Sequence, residues 1–448
     1  MTPNASPYIP NTDADREQML AAIGVRSFDD LVQDVPAQHR FPELNLRPAL
    51  SEFDLTAEIS ALAARNATPG DYACFLGSGA YRHFIPSVVK SVVARGEFLT
   101  SYTPYQPEVA QGTLQVGFEF QSMICEITGM EVANAGMYDG PTAFAEGALM
   151  ACRITRRHTI AVLDTVDPRN IEILDAYTRH QGCEITVIGR DDDMPADAAC
   201  LMVQSPNQFG VVEDMAALAG RAHDAGALAV ACVNPTSLGM FRTPGECDVD
   251  IVAAEGQALG VPLSFGGPYV GLFACKDVYK RQMPGRIIGR TTDTKGRVAY
   301  TLTLQTREQH IRRERATSNI CTSTALISLL MTTYLATLGR SGFQKVAELC
   351  YHKAHYAAAE IDRLPGYTVR NDGPFFHEFL VECPRPPAEI NRALLDRKII
   401  GGRDLGDRTA NGMLICVTET NTRAEIDQLV TALAEIAETA ALAKTRGP

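Results

Sequence analysis

Four stretches of this sequence concentrate the side chains best able to bind or react. The first is the glycine-rich run Leu76-Gly77-Ser78-Gly79-Ala80, which offers a hydroxyl and a backbone that a ligand can approach closely. The second is Tyr102-Thr103-Pro104-Tyr105-Gln106-Pro107-Glu108. Tyr102, Thr103, Tyr105, Gln106 and Glu108 can all hydrogen-bond, and Pro104 and Pro107 stiffen the backbone that carries them. The third is Asp139-Gly140-Pro141, just ahead of a helical pattern, where backbone N–H groups could meet an anion. The fourth runs from Arg312 through Thr317 and Asn319. There Arg312, Arg313 and Arg315 lie among Glu308 and Glu314, which fits an anion or subunit contact as well as a solvated, salt-bridged stretch. The 12 cysteines include no C-x-x-C pair, so zinc and dithiol chemistry find no support, and most read as small core residues.

Bulk properties narrow the partners. Lys plus Arg is 41 and Asp plus Glu is 53, a net charge of −12, and such a surface repels nucleic-acid backbones. Met1 to Pro10 lacks the charged and apolar regions of a signal peptide, and no apolar run reaches the ~18 residues of a membrane span. The expectation is a cytoplasmic protein that binds neither membrane nor nucleic acid.

The elements that must position these stretches follow from pattern. Thr12, Ser27 and Ser51 each stand three residues before an aspartate (Asp15, Asp30, Asp54), which predicts three short capped helices in an N-terminal arm over residues 1–70. Such an arm packs on a partner subunit or pads its own core. Residues 71–107 read as loop-rich, and a helix over 112–128 is stopped by Gly129. Helices at 142–154, 169–180 and 214–225 then alternate with apolar strands at 159–163, 184–188, 200–204, 227–233, 250–254 and 271–274. That alternation indicates a mostly parallel sheet covered on both faces, a large α/β domain over 71–330. A long helix at 322–364 leads into strands at 367–370, 375–381 and 413–417 and helices at 387–396 and 423–439. These make a smaller C-terminal α+β domain within 331–448, with Lys444 to Pro448 expected to fray.

A large parallel α/β domain, a linking helix and a small α+β domain is the layout of fold-type I pyridoxal phosphate enzymes, the aspartate aminotransferase-like fold. Such an enzyme needs a Schiff-base lysine, a carboxylate on the pyridine nitrogen and a helix N-terminus for the phosphate. The lysine belongs between the strand 250–254 and the turn Gly266-Gly267-Pro268, and no residue from Ala253 to Pro268 is a lysine. The carboxylate belongs after the strand 227–233, where Asn234 stands. At the expected phosphate helix, Asp139 would repel a dianion and Pro141 removes one backbone donor. Together these absences indicate a fold retained and a cofactor site lost.

Several long stretches carry a family resemblance: Pro7-Tyr8-Ile9-Pro10-Asn11-Thr12, Tyr102 to Glu108 with Gln111-Gly112-Thr113-Leu114, Met137-Tyr138-Asp139-Gly140, Pro262 to Pro268, and Ile311 to Thr322. They resemble subunit 1 of bacterial glycine dehydrogenase (decarboxylating), the alpha subunit of the glycine cleavage system P-protein. Arg315 departs from the family pattern, which has Lys, and keeps its charge. The resemblance implies an α2β2 assembly whose beta subunit holds pyridoxal phosphate on a lysine, and it puts Gln257 at the corresponding position here. It also implies decarboxylation of glycine and transfer of the aminomethyl group to the lipoyl arm of H-protein. In this fold each subunit lends loops to its neighbour's site. The lenders here would be Ser78, Tyr102, Thr103, Tyr105, Gln106 and Glu108, with Arg312, Thr317 and Asn319 as further contacts. Two other readings stay open at this stage. One is a self-sufficient pyridoxal phosphate enzyme using Lys276 or Lys280; the other is a purely structural or regulatory subunit.

Overall fold

The computed structural model describes residues 10–40, 42–321, 323–370 and 372–445, those beyond 438 by backbone alone. Pro7 to Ile9, Thr322 and the last residues expected to fray, 446–448, lie outside this set. The chain divides into two compact units, Met1–Asn66 and Ala67–Pro448.

In the first unit the capping spacings produce the helices they predict. Thr12 caps Asp13–Ile23, Ser27 caps Phe28–Leu31 and Ser51 caps Glu52–Ala63. At Thr12 and Ser27 the hydroxyl accepts from the aspartate N–H three residues on, and that aspartate's carboxylate accepts from the cap's own N–H. No residue of these helices is buried, and Phe53 is 83% exposed.

The second unit is built on seven strands: β1 Val132–Ala133, β2 Thr159–Leu163, β3 Glu184–Ile188, β4 Ala198–Ser205, β5 Leu228–Val233, β6 Ile251–Glu255 and β7 Gly271–Cys275. They form one sheet in the order β1-β7-β6-β5-β4-β2-β3. The five from β6 to β3 run parallel, and β7 and β1 pair antiparallel at one edge. β2 and β7 are buried at every residue, as apolar runs without alternation require when both faces are covered. The helix Gly140–Thr155 packs across β4 to β7. Its first residue has to be small, because a Cβ on Gly140 would lie 2.8 Å from the Glu255 backbone nitrogen. The helix N-terminus is thereby pressed onto the C-terminal end of β6.

Three features depart from the sequence reading. The helix expected to run unbroken to residue 364 spans Ala325–Asp362 and kinks at Gly339 (φ 60°, ψ −178°). Glycine enters that region without a Cβ clash, so the run is two helices joined at one residue. An antiparallel hairpin, Ile287–Thr292 with Val298–Thr303, was not anticipated. Its signal is present in the turn at Asp293 and Gly296, where the Asp293 carboxylate accepts from the Lys295 and Arg297 N–H groups and Gly296 takes φ 75°. The strand expected at 375–381 is Glu378–Glu382, because Phe375 pairs instead with Val211 across from the large sheet.

The C-terminal elements form a four-stranded antiparallel sheet of Thr368–Arg370, Glu378–Glu382, Gly412–Cys416 and Arg403–Asp404. The helices Pro387–Leu395 and Arg423–Thr445 accompany it around a separate apolar core. Ala73–Cys74 pairs in parallel with Ile399–Ile400, so the chain leading into the glycine-rich loop is anchored on this smaller layer. Among the described residues no helix is long and apolar enough to cross a membrane.

Candidate functional site at the carboxyl edge of the sheet

The parallel strands β4, β5 and β6 end at Ser205, Val233 and Glu255. A cavity of about 340 Å³ opens at this carboxyl edge, where open α/β sheets bind their ligands. The loop from Ser78 to Tyr81, Asp139 to Pro141, Asn234 and Glu255 all line it. Asn234 and Asp139, two of the three positions singled out for a lost cofactor, therefore meet Ser78 here, and the third, Gln257, lies directly behind, bonded to Tyr81.

Gln257 is 2% exposed and fully engaged. Its Oε1 accepts from the Tyr81 N–H at 2.7 Å, and its Nε2 donates to the carbonyls of Tyr81 and Val261, each at 2.9 Å. An ammonium could not accept from Tyr81, so the position is built around an amide. Asn234 is equally committed. Its Oδ1 accepts from the Thr236 N–H at 3.0 Å, and its Nδ2 lies 3.2 Å from Nε2 of His377. Burial drives the His377 pKa well down, with His83 nearby adding to the effect, so this ring is neutral and its Nε2 accepts.

The helix N-terminus repeats the pattern. The Gly140 N–H donates to Glu255 Oε2 at 2.8 Å, Pro141 has no N–H, and the Thr142 N–H donates to Asp139 Oδ1 at 2.8 Å. Asp139, expected to repel a phosphate, thus serves as the N-cap of Gly140–Thr155, in a box completed by the Thr142 hydroxyl accepting from the Asp139 N–H. Glu255 occupies the place of an external anion. Burial raises its pKa to about 7 against the opposing N–H groups of Gly140 and Gln257, and the Asp139 charge pushes it up further.

On the other wall, Ser78 takes φ 66° and donates its N–H to the buried Glu378 carboxylate, which also accepts from the Tyr81 hydroxyl at 2.8 Å. Burial raises the Glu378 pKa despite these donors. The Ser78 hydroxyl accepts from both Arg169 and Arg403, and these two guanidiniums also share the Asp167 carboxylate. Burial pushes Asp167 up, but the hydrogen bonds and charge of Arg169, with Arg403, outweigh it and hold its pKa below the usual range. Ser78 therefore lies in this chain's own cavity.

Does the cavity suit pyridoxal phosphate? Gln257, expected at the lysine position, is an amide hydrogen-bonded on both ends; Asn234, expected at the pyridine position, is an amide facing a neutral histidine; and the first three residues of the helix expected to hold the phosphate leave no free donor. The residues present do not fit the cofactor. Lys276 and Lys280 cannot substitute. Lys276 pairs with Asp248 and Asp250 at the opposite end of β6, roughly 16 Å from Glu255 at the rise of a strand, and Lys280 pairs with Asp277.

The remaining candidates gather elsewhere. Tyr102 is 81% exposed, and with Thr103 it borders a mostly apolar cavity of about 400 Å³ against Ile288 and Leu302. Tyr105 is 45% exposed, and its hydroxyl accepts from Arg286 Nη2 at 2.9 Å. Arg286 is buried, lies 5.2 Å from the Tyr105 ring centre, and also donates to Glu308 and to the Cys321 carbonyl. The Tyr105 ring meets the His310 ring edge-on, so the second and fourth stretches of the sequence form one face. Gln106, Glu108 and Arg312 are exposed there, and their side chains make no hydrogen bond or ion pair among the described residues. Thr317 and Asn319 border a further polar cavity of about 490 Å³.

Sequence reasoning missed Glu255, Tyr81, Arg169, Arg403, Glu378 and Arg286. Glu255 stood two residues before Gln257 in a stretch searched only for lysine. Glu378 lines the cavity and Arg403 holds Ser78 in its wall over separations of 300 and 325 residues from Ser78, which no local pattern carries.

The sheet order, the cavity at its carboxyl edge and the helix leading into a small α+β layer define the fold-type I pyridoxal phosphate enzyme class. A Burkholderia pseudomallei sphingosine-1-phosphate lyase shares this fold with a TM-score of 0.65, covering 92% of this chain and 96% of its own at 15% identity. The chain belongs to the glycine cleavage system P-protein family, whose model matches residues 6–433. It is 50% identical over 443 residues to a Thermomicrobium roseum protein named probable glycine dehydrogenase (decarboxylating) subunit 1, across 96% of this chain and 99% of that one. A crystal structure of glycine decarboxylase (P-protein) of the glycine cleavage system, in inhibitor-bound form, superposes with a TM-score of 0.91 at 40% identity, covering 96% of this chain and all of the other.

Proposed function

We propose that this chain is the alpha subunit of an α2β2 glycine decarboxylase, in which pyridoxal phosphate is held by the beta subunit. The observation that carries the proposal is the helix N-terminus of the cavity. An internal carboxylate, Glu255, takes the Gly140 N–H that a cofactor phosphate would need. The assembly decarboxylates glycine and passes the aminomethyl group to the lipoyl arm of H-protein. Within it, this chain binds and orients rather than reacts. The face carrying Tyr102, Thr103, Tyr105, Gln106 and Glu108, with Arg312, Thr317 and Asn319 beside it, borders the partner's pocket. Its exposed donors and acceptors supply hydrogen bonds there, and its apolar bodies exclude water.

Exposure supports the partner. Met19, Ile23, Phe28, Leu31 and Phe53 in the first unit are all exposed, a density of large apolar side chains that an obligate interface would cover. The test is purification of the chain alone and with the beta subunit, followed by a cofactor spectrum and a glycine decarboxylation assay. The chain alone should show no cofactor absorbance and no turnover, and the co-purified pair should show both. Cofactor bound at equal stoichiometry to the chain alone would overturn the reading.

A further inference from the structure

The cavity that does not fit pyridoxal phosphate has a volume of about 340 Å³ and is lined by charges of both signs. Glu255 and Asp139 both line it, close enough for the Asp139 charge to act on Glu255. Asp139 Oδ1 is engaged by Thr142, while Oδ2 makes no hydrogen bond among the described residues. Among the described residues Arg169 is the one cation in the lining. Its Nε and Nη2 are held by Asp167 and Ser78, and its Nη1 has no hydrogen-bond partner among the described residues. Arg403 also pairs with Asp167, and the buried Glu378 carboxyl stands close by, so what Arg169 offers a ligand is its unpaired Nη1 donor. Beside Arg169, the amides of Asn170 and Gln204, bonded to one another, add a polar but uncharged stretch of wall. A cavity of about 340 Å³ lies within the size range of small-molecule sites, and a few placed charges of opposite sign are what orients a ligand in one.

We propose that this cavity binds a free amino acid, its carboxylate on Arg169 and its ammonium between Glu255 and Asp139. The proposal rests on the reading that no pyridoxal phosphate occupies the cavity. An absorbance spectrum of the same sample separates failure of that reading from failure of this one. The acidic pair predicts a particular signature. Burial and the Asp139 charge keep Glu255 near neutrality in its proton affinity. An ammonium placed between the two carboxylates favours the ionised form of Glu255, so binding at pH 7 releases a proton.

The test is titration calorimetry on the purified full chain, with glycine, β-alanine and γ-aminobutyrate as zwitterions of increasing length. Acetate and methylamine are the single-charge probes. At least one zwitterion should bind saturably, with a heat that varies with the ionisation enthalpy of the buffer. Acetate and methylamine should each bind at least tenfold more weakly. Arg169→Gln and Glu255→Gln should each weaken the zwitterion at least tenfold, while Arg169→Lys, which keeps the charge, should weaken it less. Thermal melting of each variant shows whether it is folded, and Arg169→Lys serves as the probe if Arg169→Gln is not. The proposal is overturned by no saturable binding of any zwitterion up to ~10 mM, the weak end of specific recognition. Equal binding of methylamine would overturn it too, and so would affinities unchanged by both charge-removing variants.

Discussion

The cavity and the Tyr105 face are both rich in polar groups, yet they treat them in opposite ways. In the cavity Gln257, Asn234, Asp139 and Glu255 hydrogen-bond to this chain's own backbone and side chains. On the face, Gln106, Glu108 and Arg312 extend outward without partners among the described residues. The contrast follows from burial. A polar group left unpaired inside a protein costs about 1–3 kcal/mol, so a site that loses its cofactor is stable only once its donors and acceptors find internal replacements. An exposed group is satisfied by water and can stay free for a partner. Internal satisfaction therefore fits positions that no longer wait for a cofactor, and free polar groups on a pre-formed surface fit a contact still available.

The largest effect expected from this contrast is a failure to rescue. Gln257→Lys should yield no self-sufficient enzyme, because it strips the Tyr81 N–H of its acceptor and leaves Asn234 and Glu255 where they are. A missing pyridinium partner that weakens the transition state by ~4 kcal/mol already lowers the rate about a thousandfold. Carbon dioxide release by the variant alone should stay at background, with no borohydride-reducible adduct on the new lysine. Turnover within tenfold of an assembled enzyme would show the cavity to be one residue from working.

What the sequence discloses and what it hides divide along the same line. The strands of the large sheet are legible because burial on both faces forces unbroken apolar runs such as Thr159–Leu163. Asn234 stands out because a fold-type I site asks for a carboxylate just after that strand, and so does the lack of a lysine from Ala253 to Pro268; the position of Gln257 itself comes from the family resemblance. Glu255 is hidden because a lone carboxylate at a strand end carries no local signal, and only the Gly140 N–H, 115 residues away in sequence, reveals what it holds. The kink at Gly339 is hidden because glycine is tolerated inside helices, so its presence alone does not fix its φ. Ser78 reads in sequence as a loop contact for a neighbour, and its bonds to Arg169 and Arg403 turn it inward.

A second, smaller effect sharpens the electrostatics of the cavity. Glu255 has its pKa raised from 4.5 to about 7 in the folded chain. Between those values the folded state holds a proton that the unfolded state releases, so unfolding loses protons and stability falls as pH rises through this window. The full contribution is present below the unfolded pKa and is gone above about 7, a change on the order of 3 kcal/mol for one group. Glu255→Gln cannot titrate. The stability of wild type relative to this variant should therefore decline from pH 5 to pH 8, read as the difference in melting temperature at each pH. A difference that is flat, or that rises with pH, would mean that Glu255 is ionised throughout and that its N–H donors outweigh its burial.

The smallest effect probes the face, and its sign decides what the face is for. The Tyr105 hydroxyl accepts from Arg286, which leaves its own O–H free to donate outward, and the guanidinium makes that proton a better donor. If the face only props the assembly, Tyr105→Phe removes one of several Arg286 contacts. Arg286 keeps Glu308 and the Cys321 carbonyl, so stability drops by about 1 kcal/mol and turnover of the reconstituted enzyme is unchanged. If the outward O–H meets substrate, cofactor or a group that orients them, the same change lowers glycine turnover about tenfold, the effect of ~1.4 kcal/mol of transition-state stabilisation. Gln106→Ala is the companion, since its side chain has no hydrogen bond to lose among the described residues and an effect on turnover points to the partner. Sedimentation establishes that each variant still assembles, so that turnover is compared between intact complexes. We expect a roughly tenfold loss for Tyr105→Phe. Full activity of both intact variants would reduce the face to scaffolding and leave the two regions different in exposure but not in function.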